Sequence, residues 1–141
     1  MKLHRLLIIA AVFASMASFS PTLSQDSFDN PSVVQAVPPS YPPIARAANV
    51  SGVVLVEVKV DAGGSVTAVR VLEGHKLLNS IAERSARKWK FNALDKAKER
   101  SVQLRFEFIL IATNKGTPDD LGVVFWPPYR VEIRDAPYRV D

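Results

Sequence analysis

The 141-residue chain has no cysteine and only two histidines, His4 and His75. The first absence removes disulfides, thiol nucleophiles, thiolate metal sites and a lipid-modified N-terminus of the lipoprotein kind. The second leaves too few imidazoles to complete a metal triad. His75, two residues after Glu73, is at most a fragment of an acid–base pair, and a histidine in an exposed turn is the plainer reading. No phosphate-cradling glycine motif is present; Gly63 and Gly64 read as the turn of a hairpin. Ser80 and Ser85 have no base nearer than His75, and capping and helix packing account for them. The sequence therefore predicts no enzyme, no metal site and no cofactor.

A strong charge of one sign is also missing. Eighteen Lys and Arg face 14 Asp and Glu, a net charge of +4. Lys2 and Arg5 are the only charges before Asp26, so without that leading stretch 16 basic residues face 14 acidic ones, a balance of +2. No dense basic stripe with interleaved aromatics occurs, which argues against nucleic acid as a partner. Arg84, Arg87, Lys88 and Lys90 gather on one predicted helix and read as its solvated face.

Long apolar runs are scarce too. The run from Leu6 to Phe13 is shorter than the roughly 20 apolar residues that span a bilayer. The basic residues Lys2 and Arg5 precede it and small residues, Ala14 to Ser18, follow. That layout predicts a secretory signal peptide over residues 1–24, cleaved after Ala17 or further on near Ser20 or Ser24. An uncleaved anchor is the weaker alternative. Residues 25–40, rich in Ser, Asp, Asn and Pro, read as an extended linker.

What the chain does contain is a well-patterned domain over residues 41–111. A short helix is expected at 44–49, where Pro42 and Pro43 suit a first turn. In the first strand Val54, Val56, Val58 and Val60 point one way, and Leu55, Glu57 and Lys59 the other. The stretch 61–64, Asp-Ala-Gly-Gly, is turn chemistry, and a second strand is predicted at 65–72. Ser80 followed by Glu83 makes a capping box, which predicts a helix from there to about Lys90. Ile81, Ala82, Ser85 and Trp89 form its apolar stripe. Burying that indole contributes several kcal/mol at about 25 cal/mol per Å². A polar loop is expected at 92–100. A third strand at 101–110 points Val102, Leu104, Phe106, Phe108 and Leu110 inward, with Ser101, Gln103, Arg105 and Glu107 outward. The expected fold class is α+β: a ββαβ unit with a small antiparallel sheet, one main helix on one face and a short N-terminal helix. Residues 112–141 form an extension with short strands near 123–125 and 130–134, interrupted by Pro127 and Pro128. This extension reads as a peripheral ribbon or an edge covering.

The ordered set Tyr41-Pro42, alternating strand, Asp/Gly turn, second strand and helix closing on Trp89-Lys90-Phe91 resembles the C-terminal domain of TonB over about residues 37–110. The resemblance implies a periplasmic protein-interaction domain that grips the TonB-box peptide of an outer-membrane TonB-dependent receptor. It implies a role in energy-coupled transport across the outer membrane, with an inner-membrane motor complex as a further partner if the chain is anchored. Carried onto this sequence, the peptide lies near Tyr41, Pro42, Ala45 and Arg46. It pairs along the third strand, at Ser101, Gln103, Arg105 and Glu107. A three-stranded sheet offers such an edge, with unpaired N–H and C=O groups in register. Two features depart from TonB: His4 precedes the apolar run where TonB has a histidine within its membrane span, and residues 25–40 are much shorter than TonB's long Pro-rich spacer. The alternative is a non-transducing envelope domain, structural or self-associating as a homodimer, whose own tail covers that strand edge.

Overall fold

The computed structural model describes residues 30–93, 98–112 and 118–139; the expected leader lies outside them. Strand β1 (Val33–Gln35) and helix α1 (Pro43–Ala47) lead into the hairpin β2 (Gly52–Val60) and β3 (Val66–Glu73). Helix α2 (Lys76–Ala86), the short β4 (Lys90–Phe91) and the long β5 (Arg100–Leu110) follow. The tail adds a single 3₁₀ turn (Pro118–Asp120), β6 (Gly122–Trp126) and β7 (Arg130–Asp135). The fold is α+β, with the expected ββαβ unit at its centre.

Valine alternation drives β2. Val54, Val56, Val58 and Val60 are all fully buried, on the face that α2 covers. Residues 61–64 turn the chain, with Asp61 Oδ1 accepting from the Ser65 N–H at 2.9 Å. Gly64 has φ +86°, and a Cβ there would lie 1.9 Å from the Phe91 carbonyl oxygen. Only glycine fits that approach, and it lets Phe91 N–H donate to the Gly64 carbonyl at 2.8 Å. The hairpin turn is thereby stitched to the chain leaving α2.

Helix α2 begins earlier than the capping-box pattern indicates. Its N-cap is His75, whose Nδ1 accepts from the Leu77 N–H at 3.1 Å. Ser80 and Glu83 sit inside the helix. The helix also ends at Ala86, and Trp89 follows in a turn rather than on the stripe. The indole is buried against Phe91 and Phe106 all the same. Leu78, Ala82, Ser85 and Ala86 supply the buried face of α2.

The five-stranded sheet has the order β3-β2-β5-β7-β6. The ββαβ strands pair antiparallel, with Val54 opposite Phe106 and Val58 opposite Val102. The tail adds what the ββαβ pattern does not contain. β7 pairs parallel with β5 from Arg105↔Arg130 to Leu110↔Asp135, and β6 pairs antiparallel with β7. Val131 and Ile133 enter the core beside Phe106 and Phe108. The extension is a continuation of the sheet.

Residues 30–40 are extended, as a linker would be, but they are not free. β1 pairs with β4, Val33 opposite Phe91. The Val37 carbonyl accepts from Ser85 Oγ and, at 3.0 Å, from Trp89 Nε1. Tyr129 Oη donates to the Pro31 carbonyl at 2.7 Å. Val33, Ala36 and Val37 pack on the core. This segment is a strap across the helix side of the sheet. No helix among the described residues is long and apolar enough to cross a membrane.

Candidate functional site

The edge of β5 that faces away from β2 is covered over half its length. Arg105 N–H donates to the Tyr129 carbonyl at 2.9 Å, and Ile111 N–H to that of Asp135 at 2.8 Å. Peptide groups alternate along a strand, so Ser101 and Gln103 aim their N–H and C=O the same way as Arg105. Among the described residues no strand pairs with Ser101–Gln103 on that side. The exposed side chains of Ser101 and Gln103 lie on the sheet face opposite α2, and the even-numbered Val102 and Leu104 fill the core.

Beside this free stretch lies a cleft of about 390 Å³, formed by Gln103, Arg105, Trp126, Pro127, Pro128, Tyr129 and Arg130. The Pro127–Pro128 turn joins β6 to β7 and forms one wall. Trp126 is exposed, and the Arg130 Cζ stands 5.5 Å from its ring centroid. Tyr129 is held from below by Phe91, an edge contact at 6.3 Å.

The face above the cleft carries an alternating ladder of charge across β5 and β7. Glu107 accepts from Arg105 at 2.6 Å and from Arg130 at 3.0 Å. Glu132 accepts from Arg130 and from Arg134, each at 2.6 Å. The Glu132 side chain is only 6 % exposed, an acceptable burial because both carboxylate oxygens are paired. Burial alone would raise the Glu107 pKa, but the hydrogen bonds and charges of Arg105 and Arg130 outweigh it and hold the carboxyl below its usual range.

The second group of sequence-predicted residues lies elsewhere. Tyr41 and Ala45 face the core; the Tyr41 ring packs edge-on against Phe108 at 5.4 Å, and its hydroxyl donates to the Val50 carbonyl. Burial, with the Asp135 carboxylate nearby, pushes the Tyr41 phenol up to about 12. Arg46 reaches Asp135 at 3.1 Å, tying α1 to the end of β7. Pro42 is the N-cap of α1 and is half-buried. Of these four, Arg46 ties the tail to α1, while Tyr41 and Ala45 are buried and in this conformation offer no side-chain surface to a partner. The structure thus separates them from Ser101 and Gln103, while Arg105 and Glu107 fall in the covered part of the edge.

Sequence reasoning missed Trp126, Tyr129 and Arg130. The signal was present: Trp126-Pro127-Pro128-Tyr129 puts two aromatics around a proline pair, a composition suited to a rigid, partly apolar wall. Its proximity to Gln103 follows only from the parallel pairing of β7.

The sequence matches the family described as Gram-negative bacterial TonB protein C-terminal over residues 37–110. It is also similar to two curated proteins named Protein TonB, from two strains of Xanthomonas campestris pv. campestris. Each is 50% identical over 58 residues, which is 40% of this chain and 26% of the relative. The matched stretch therefore spans about a quarter of those relatives, and both β6 and β7 lie outside the family match.

Proposed function

Since the chain belongs to the TonB C-terminal family, matched over slightly more than half its length, we propose that it is an envelope protein-interaction domain serving energy-coupled transport across the outer membrane. It grips an extended TonB-box-type peptide of an outer-membrane transporter by strand addition. In this reading residues 1–24 export the chain to the periplasm or anchor it in the inner membrane facing that compartment. Residues 41–111 are the grip and residues 112–141 its extension. An inner-membrane motor complex is a partner of the anchored form. The domain binds and does not catalyse.

One observation carries the peptide reading. The N–H and C=O groups of Ser101 and Gln103 point out of the sheet with no strand on them among the described residues, next to a cleft walled by Trp126 and Tyr129. An added strand gains affinity from main-chain bonds and selectivity from side pockets; this stretch supplies both. A peptide there would run in line with β7.

Titration of the purified protein with TonB-box peptides, followed by calorimetry, tests the reading. Gln103→Pro removes an outward N–H while sparing the groups that pair with β2, and we expect affinity to fall at least about ten-fold, the worth of roughly 1.4 kcal/mol. Removal of residues 112–141 lengthens the free edge but also takes away the Trp126 and Tyr129 wall, so a shortened protein that still folds should bind by main-chain pairing with less selectivity among peptides. If neither the intact nor the shortened protein binds any such peptide, the grip is not this domain's role. That result would favour the second reading, a non-transducing envelope domain, which the β7 strand across residues 105–110 supports.

A further inference from the structure

We propose that β6 is a self-association strand, along which two copies of the chain join antiparallel about a two-fold axis at Val124. The inference stands apart from the peptide reading, because it concerns the far edge of the sheet.

The two edges of the sheet differ in kind. β3 carries Arg70 and Glu73, and its pairing with β2 has two register irregularities. Charges and bulges of this sort block edge-to-edge pairing. β6 has neither. Its five residues, Gly-Val-Val-Phe-Trp, are uncharged, and Val123, Phe125 and Trp126 are 49, 40 and 46 % exposed.

Its hydrogen-bonding groups are also set for a second copy. The carbonyls of Tyr129 and Asp135 serve β5, so along β7 it is Arg130, Glu132 and Arg134 whose peptide groups face β6. They stand opposite Trp126, Val124 and Gly122. Val123 and Phe125 therefore direct their N–H and C=O to the open side. When Val124 is placed opposite Val124 of a second copy, Val123 falls opposite Phe125 and both outward-pointing residues find hydrogen-bonding partners. The side chains match in the same register. Val123 with Phe125 is a β-branched–aromatic cross-strand pair. Gly122 lies opposite Trp126, where an indole covers the exposed backbone of an edge glycine. Pro127 has no N–H and ends the ladder.

Charge agrees with that arrangement. The exposed Asp119 precedes β6, and Arg130 stands at its other end beside Trp126. Antiparallel pairing brings Asp119 of each copy toward Arg130 of the other, a guanidinium that also serves Glu107 and Glu132 within its own chain. A strand complementary to itself in hydrogen bonds, side-chain size and end charge favours a second copy over an unrelated peptide.

Sedimentation velocity over a concentration series tests this. We expect a concentration-dependent monomer–dimer equilibrium. Val124→Lys places two cations face to face, as Val124→Glu does two anions, and each alone should weaken dimerisation at least ten-fold. An equimolar mixture of the two should restore it, because only the mixed pair sets opposite charges across the axis. Should Val124→Glu fail to fold beside Glu132, Val123→Lys, which loses its Phe125 contact, takes its place as the weakening variant. A wild-type protein that stays monomeric throughout, dimers indifferent to these substitutions, or a mixture of folded charge variants that stays monomeric would each overturn the proposal. Saturable protection of β6 by an added peptide in a monomeric protein would assign the edge to a different chain.

Discussion

Tyr41 shows how one side chain takes a structural part within a motif associated with binding. In sequence the Tyr-Pro pair marks the start of the domain; in the fold its ring fills the space beside Phe108, and its hydroxyl closes the loop after α1 on Val50. The phenol is neutral in both folded and unfolded chains well below pH 10. Above about 10 the unfolded chain ionises first, because the folded-state value is pushed up to about 12. Stability attributable to this group is therefore complete below pH 10 and is lost as pH rises toward 12. Tyr41→Phe should flatten that alkaline decline in denaturant midpoints and remove the latest component of the tyrosinate absorbance titration. An unchanged alkaline slope would show that the ring is not the group responsible. His75 is the converse case. It was legible as a turn residue, but its capping role was hidden because Ser80 and Glu83 offered a standard capping pair starting five residues later. Local spacing could not decide between them. The turn at Gly74 did: with φ +154° and the Val54 methyls 3.0 Å from where a Cβ would lie, only glycine fits there, and it fixes where the chain leaves β3 and so where the helix starts.

At the scale of elements, the strands and helix that alternate cleanly were visible: β2, β3, α2 and β5 each carry a periodic apolar face. β7 was harder to place. Val131 and Ile133 alternate as any edge strand might, and Glu132 between them reads as solvent-facing. It is buried because Arg130 and Arg134 close over it, and those neighbours acquire meaning only once β7 lies beside β5. Parallel partners 25 positions apart leave no mark in a local window. The ion ladder that secures this pairing is sensitive to acid. With the folded pKa of Glu107 held below its unfolded value, the ladder contributes fully above the ordinary carboxylate range. The contribution is lost as pH falls through the folded value. Glu107→Gln should cost about 1–2 kcal/mol near neutrality, as expected for a charge-assisted bond to a half-buried group. The variant should also unfold with a shallower acid dependence, measured by chemical denaturation at stepped pH. Equal acid slopes in the two proteins would remove Glu107 from the account.

For the whole molecule, the candidate edge was legible as a strand, and its state was not, since sequence alone left open whether the tail covered it. The structure gives a divided edge: β7 on residues 105–110 and no strand on 101–103 among the described residues. The stretch before Tyr41 also gains a new role. Proline and polar residues suggested a tether, yet Val33, Ala36 and Val37 pack on the core, and the Val37 carbonyl takes two side-chain donors. A chain beginning at Tyr41 should melt several degrees lower than one beginning at Asn30, since about 1 kcal/mol shifts the midpoint of a domain this size by roughly 4–8 °C. Equal melting temperatures would return the segment to the status of a passive linker. The strap has a mechanical consequence as well. Tension drawn from the N-terminal side arrives first at Pro31 and Val37, hence at Tyr129 and Trp89. Tension from anything held on the β5 edge arrives through the ladder of the sheet. Were both loads applied, they would meet at Tyr129, whose hydroxyl bonds the strap and whose carbonyl bonds β5, so this one residue would link the two ends.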